Sequence, residues 1–183
     1  MEIKREQALA LLVEYVPSVS LQNHCKAVEA AMSAYAKKYN EEEELWRVCG
    51  LLHDFDYEKF PDEHPFKGVE ILKEKGYPDE IIQAILGHAT YSGVARVTQM
   101  AKCLFAVDEL SGFIVACARV RPEGFKGMKP KSVKKKLKVK SFAAQVSREE
   151  IDQGIEELGV DKDEHINLII DALSEISEEF KFD

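Results

Sequence analysis

Leu45-Trp46-Arg47-Val48-Cys49-Gly50-Leu51-Leu52-His53-Asp54 is an apolar, helix-like stretch that finishes on an imidazole beside a carboxylate. That ending is a poor way to close a core helix and a good way to begin a metal site. Neutral nitrogen and ionised oxygen are the ligands that suit a divalent metal able to activate water. The pair gains weight from partners on other apolar faces: His24, His64, His88 and Asp108. With His53 these include four of the five histidines, all N-terminal to residue 110.

The flanking chain reads as helix almost everywhere. Residues 4–16 are amphipathic through Ala8, Leu11, Leu12 and Tyr15, and Pro17 ends them. Residues 18–39 place Leu21, Cys25, Val28, Met32, Tyr35 and Tyr39 three and four apart, the spacing of one helical face. Asn40 with Glu43 has the form of a capping box for the next helix, which is expected to reach about Phe55. Pro61 and Pro65 break the loop that follows. Residues 66–75 form a helix that stops at Gly76, and Pro78 opens another as its first residue. Residues 96–117 are a long, strongly apolar helix. Ser147 with Glu150, and Asp161 with Glu164, repeat the capping-box pattern and open C-terminal helices over about 148–181. No useful length alternates with period two. The expectation is an all-α bundle forming a single domain over 1–183, with 119–140 as a loop.

Length and composition agree with this. A chain of 183 residues buries a substantial core in one domain without disulfides. Cys25, Cys49, Cys103 and Cys117 stand singly, without metal-knot or framework spacing, and read as core residues of a reduced compartment. The first residues lack a signal-peptide core, and no apolar run approaches the roughly 20 residues of a spanning helix. A cytoplasmic protein with no membrane contact is expected.

The inward faces carry the chemistry. His24 lies three after Leu21 and four before Val28, at the border of a buried stripe. Val97, Ala101, Leu104, Asp108, Ser111 and Val115 share one face, so Asp108 points where an unpaired carboxylate would cost several kcal/mol, about enough to force its protonation. A cation is one remedy. His88 follows Ile81 by seven and Ile85 by three, again on an apolar face. A lone inward histidine is more often a hydrogen-bonded core residue, and His165, beside acids on a C-terminal helix, reads as structural. Three helices turning ligand-type side chains inward together are a constellation.

The order His24, His53-Asp54, Asp108 resembles the HD superfamily of metal-dependent phosphohydrolases, named for that central pair. His64-Pro65 leading into Gly68-Val69-Glu70-Ile71-Leu72, and then Ile85-Leu86-Gly87-His88-Ala89, is similar to its HDIG branch. The resemblance covers roughly 18–117 as an HD core, and implies an all-α bundle. It implies that His24, His53, Asp54 and Asp108 hold one metal, with His64 and His88 holding a second across a bridging Asp54. Two departures stand out. The chain reads His53-Asp54-Phe55-Asp56, without the Ile-Gly, and Tyr57 stands where some members place a lysine. The general acid is therefore open among Asp56, Glu58, Lys59 and a metal-bound water, with Asp54 the catalytic ligand. Gly76-Tyr77-Pro78 spells the name of a cyclic-dinucleotide branch but lies before His88, and reads as a helix stop and start.

The ligand set suits one or two ions of Mn, Fe, Co or Zn, with Mg possible. The expected reaction is hydrolysis of a phosphate ester or phosphoanhydride, most plausibly in a nucleotide, by a metal-activated water. The net charge of −8 hides an asymmetry: residues 119–140 hold ten of the 25 basic residues and one of the 33 acids. Folded over the metals, Arg121, Lys131 and Lys134 would bind substrate phosphates; the bland reading is a solvated lysine-rich face. The acidic body and scarce stacking aromatics argue against nucleic acid. The alternative function is a noncatalytic nucleotide- or metal-sensing HD module. A base would stack on Phe55, Tyr57 or Tyr91 if these are not core.

Overall fold

The computed structural model describes residues 4–180. Among these there are nine α-helices and no strand: α1 (Arg5–Tyr15), α2 (Val19–Tyr39), α3 (Glu43–Leu52), α4 (Phe66–Glu74), α5 (Asp79–His88), α6 (Gln99–Arg119), α7 (Pro130–Leu137), α8 (Arg148–Leu158) and α9 (Lys162–Glu175). The all-α expectation holds. Short 3₁₀ turns add Thr90–Ser92 and Ser177–Glu179.

The two 21-residue helices organise the molecule. α2 packs against α3, α6 and α9, while α6 packs against α5 and α8 as well. Tyr35, Trp46, Phe55 and Phe113 are fully or almost fully buried in the core. Close approach is written into two glycines. A Cβ on Gly50 of α3 would stand 2.9 Å from the Val28 carbonyl oxygen of α2, and one on Gly154 of α8 would stand 2.7 Å from Cα of Ala106 on α6. Both lie inside the normal carbon contact distance of about 3.5–4.0 Å, so only glycine lets these backbones meet.

Several boundaries differ from the sequence expectation, each for a local reason. Asn40 does not open α3; it closes α2 in the left-handed region at φ 56°, which asparagine tolerates. The cap of α3 is Glu42, whose carboxylate accepts the Leu45 N–H at 2.7 Å. α3 stops at Leu52, so His53 and Asp54 sit in the turn that follows. Pro78 is the residue before α5 rather than its first. Val97 is 77% exposed ahead of the Thr98 cap, so the buried face of α6 begins later than expected.

Residues 119–140 are not all loop. Pro130 opens α7, a position where its missing N–H costs nothing, and Val133 anchors that helix in the core. Ser147 caps α8 as expected, but the Ser147 N–H goes to Glu109 Oε2 at 2.8 Å rather than to Glu150. His165 is buried and hydrogen-bonded, as its structural reading requires. Its Nε2–H donates to the Ala106 carbonyl at 3.0 Å and its Nδ1 meets the Tyr35 hydroxyl.

Candidate metal centre

Six side chains from five elements converge beside α2 and α6. α2 supplies His24, the turn after α3 supplies His53 and Asp54, and the turn before α4 supplies His64. His88 is the last residue of α5, and Asp108 lies mid-way along α6. Their donor atoms divide into two trios, His24–His53–Asp108 and Asp54–His64–His88.

Asp54 joins the trios. Its Oδ2 lies 3.3 Å from His53 Nε2 and 3.7 Å from His24 Nε2, while its Oδ1 lies 3.3 Å from His64 Nε2 and 3.2 Å from His88 Nε2. Asp108 Oδ1 lies 2.9 Å from His24 Nε2 and 3.3 Å from His53 Nε2, and the two nitrogens are 3.1 Å apart. Donors sharing an ion at about 2.1 Å stand about 3.0 Å apart at right angles and about 3.4 Å apart at the tetrahedral angle. The separations within each trio fit those of donors able to share one ion.

The hydrogen bonds behind the imidazoles fix which nitrogen faces inward. His53 Nδ1–H donates to the Gly50 carbonyl at 2.8 Å, and His88 Nδ1–H to the Ile85 carbonyl. His64 Nδ1–H donates to Asp56 Oδ1 at 2.7 Å. A neutral ring held this way would present its Nε2 lone pair to carboxylate oxygens. Acceptors facing acceptors repel unless positive charge lies between them. The electrostatics say the same. Burial alone would push the His53 imidazole down, but the Asp54 and Asp108 carboxylates hold it well above its usual value. His88 is raised in the same way, chiefly by Asp54. Burial would raise Asp54 and Asp108, yet His53 and its neighbours hold both well below the usual carboxylate range. A divalent ion meets that demand without protons, and the donor set fits one in each trio.

The HD domain family model matches residues 21–112, a span that contains all six side chains and just over half of the chain. This chain belongs to the HD family. HD domains form a superfamily of metal-dependent phosphohydrolases that bind divalent metals, and this HD chain carries His/Asp clusters able to hold them. Neither the curated proteins nor the solved structures yield a match to it.

The remaining predicted residues of the HD protein separate in space. Asp56 is 1% exposed and supports His64; its Oδ2 also accepts the Gly68 N–H at 2.7 Å. A Cβ at Gly68 would fall 2.7 Å from Asp56 Cγ, so the carboxylate fits only because residue 68 has no side chain. Glu58 is exposed and its carboxylate accepts the Ser18 N–H at 3.3 Å, while the Lys59 ammonium sits 4.1 Å over the Tyr15 ring. A cavity of about 500 Å³ opens over the ligands, lined in part by Asn23, Tyr57, Tyr91, Gly112, Arg119 and Gln145. Asp56, Glu58 and Lys59 are not among its lining residues.

The three predicted phosphate-binding residues lie away from that lining too. Arg121 spends its guanidinium on the carbonyls of Gly124 and Lys126, Lys134 pairs with Asp163 at 2.6 Å, and Lys131 is exposed on α7. The cation that does line the cavity is Arg119, at the end of α6. Sequence reasoning also passed over Glu109, which lines the cavity beside Asp108. Burial, with the Asp108 charge next, pushes the Glu109 carboxyl up to about 7. No sequence signal marks Glu109, whose hydrogen-bond partner, the Ser147 N–H, lies 38 residues away.

Proposed function

We propose that this chain is a metal-dependent phosphohydrolase of the HDIG type, its 183 residues acting as one domain on a phosphate ester or phosphoanhydride of a nucleotide. The observation that carries this reading is the Asp54 carboxylate, with one oxygen facing each trio of donors on the floor of a substrate-sized cavity. Two ions of Mn, Fe, Co or Zn, or less readily Mg, would supply activation of water and neutralisation of phosphoryl charge there.

The protein's own groups do the rest. His24, His53 and Asp108 would hold one ion and Asp54, His64 and His88 the other. Gly50, Asp56 and Ile85 lock the tautomers of three imidazoles, so no side chain reorganises as charge shifts to the leaving group. Arg119, rather than Arg121, Lys131 or Lys134, lines the cavity, and is the cation we assign to a substrate anion. A noncatalytic nucleotide- or metal-sensing module stands as the second reading, because none of the acids first considered lines the cavity.

Elemental analysis of protein purified without chelator tests the site: close to two transition-metal ions per chain is expected, falling in His53→Ala and Asp54→Ala. Phosphate release from nucleotides with the metal found, abolished in Asp54→Ala, supports the enzyme. Saturable nucleotide binding without phosphate release across several metals supports the sensor. No metal after reconstitution with Mn or Fe refutes the phosphohydrolase and the metal sensor, and leaves a module that binds nucleotide alone.

A further inference from the structure

We infer that Tyr57 and Tyr91 are the specificity-determining residues of this site, gripping a flat ring carried by the leaving group of the substrate; the inference rests on the phosphohydrolase reading above. Each tyrosine stands three residues after a candidate ligand. Tyr57 follows Asp54 in a turn closed by the Tyr57 N–H donating to the Asp54 carbonyl at 3.0 Å. Tyr91 follows His88 in the 3₁₀ turn Thr90–Ser92. The rings are therefore tied to the ligands by short chain segments.

Both rings also converge on His64. Tyr57 stands edge-on to its imidazole at 84° with the centroids 5.3 Å apart, and the Tyr91 hydroxyl donates to the His64 carbonyl at 2.8 Å. Held this way, they are still 51% and 69% exposed, and both line the cavity. Phe66 is as exposed as Tyr57 but does not line it, and Phe55 is fully buried, with its ring edge-on to Tyr15 at 5.2 Å. The aromatic surface left for a ligand is thus confined to two rings beside the Asp54–His64–His88 trio.

Their chemistry selects the ligand. An aromatic face held out of the core forgoes burial, which a stacked ligand ring recovers. A tyrosine has two side-chain torsions to fix, so ordering it costs little. A cavity of about 500 Å³ is far larger than a phosphate needs and falls in the range of sites for whole small molecules. Stacking reads the presence of a ring more than its identity, so the site is expected to prefer nucleotides over ringless sugar phosphates and to tolerate several bases.

The test compares adenosine 5′-monophosphate with ribose 5-phosphate, which keeps the sugar and the phosphate and lacks the ring. Both are titrated calorimetrically into the full-length, Mn-loaded protein. The parent is expected to bind the nucleotide at least about 10-fold more tightly, within the roughly 5–150-fold span of one stacking interaction. In Tyr57→Leu/Tyr91→Leu the ratio should fall to about 2-fold or less, while Tyr57→Phe/Tyr91→Phe keeps the preference. Equal binding by the parent, or a preference surviving in the leucine pair, overturns the assignment of the tyrosines and leaves the phosphate site standing. Failure of the metal-loaded parent to bind either compound overturns the phosphohydrolase reading, and this inference with it. Should the leucine pair not fold, Tyr57→Leu alone decides, since Tyr57 meets His64 only through its ring.

Discussion

Gly68→Ala is the most informative single change. Helix propensity argues that it stabilises α4, because alanine is favoured over glycine in a helix by about 1 kcal/mol. The site argues the opposite. The new Cβ would lie 2.7 Å from Asp56 Cγ and 2.8 and 2.9 Å from its two oxygens. Relief to an ordinary contact needs a retreat of roughly 1 Å. The carboxylate is held by two bonds of 2.7 Å, from His64 Nδ1 and the Gly68 N–H, and that retreat stretches both to the limit of hydrogen bonding. His64 then loses the partner that fixes its tautomer and its aim. Loss of such support weakens metal binding by about 10–100-fold, or about 1.4–2.8 kcal/mol. The loss should fall on the Asp54–His64–His88 trio and spare His24–His53–Asp108, none of which touches Asp56. Titration of the metal-free variant with Mn, its fold checked by circular dichroism, should show one ion bound as in the parent and the second weakened. Two unaltered affinities, or equal weakening of both in a folded protein, would refute the reasoning.

Three further outcomes follow from other parts of the molecule. Burial holds the His165 imidazole down at about 4, against about 6.5 in an unfolded chain. A depressed histidine adds stability that is complete above its unfolded value and is lost as pH falls from about 6.5 towards 4, a total of about 3 kcal/mol. Urea unfolding across that window should show a steeper acid loss in the parent than in His165→Gln, and equal slopes would argue against the buried neutral ring. Gly50→Ala forces a Cβ to 2.9 Å from the Val28 carbonyl, so unfolding should become easier by about 1–3 kcal/mol despite the gain in helix propensity. Lys134→Ala removes a partly exposed ion pair with Asp163, away from the cavity lining. Stability should change by less than about 1 kcal/mol and the KM for a phosphorylated substrate hardly at all; a large rise in KM would return α7 to the site.

Much of the fold was legible because the signals are local. Leu21, Cys25, Val28, Met32 and Tyr35 lie on one side of a helix whatever packs there, and that helix is α2. Where two local readings competed, neighbours decided. Asn40 and Glu43 fit a capping box, yet Asn40 could equally close α2 in the left-handed region, and it does. The stretch 119–140 looked like loop because proline and glycine punctuate it, while the anchor that makes 130–137 a helix is one valine reaching the core. The family match over 21–112 agrees with the order of histidines and aspartates that the sequence displays.

The sequence by itself determined the residue types and their order: an all-α chain in which imidazoles and carboxylates fall on apolar faces, where their desolvation calls for a cation. Only the tertiary structure decided what each group does. Asp56 and Asp54 are two residues apart, yet one Asp54 oxygen faces each trio of donors while Asp56 turns back to His64 and the Gly68 N–H, because α4 brings a glycine against it. Arg119 and Arg121 are likewise two residues apart; the first lines the cavity and the second is spent on the carbonyls of a turn. Periodicity assigns a side chain to a face. Partners within 3 Å come from distant elements, and distances of that size decide whether a carboxylate binds a metal, orients a ligand or meets solvent.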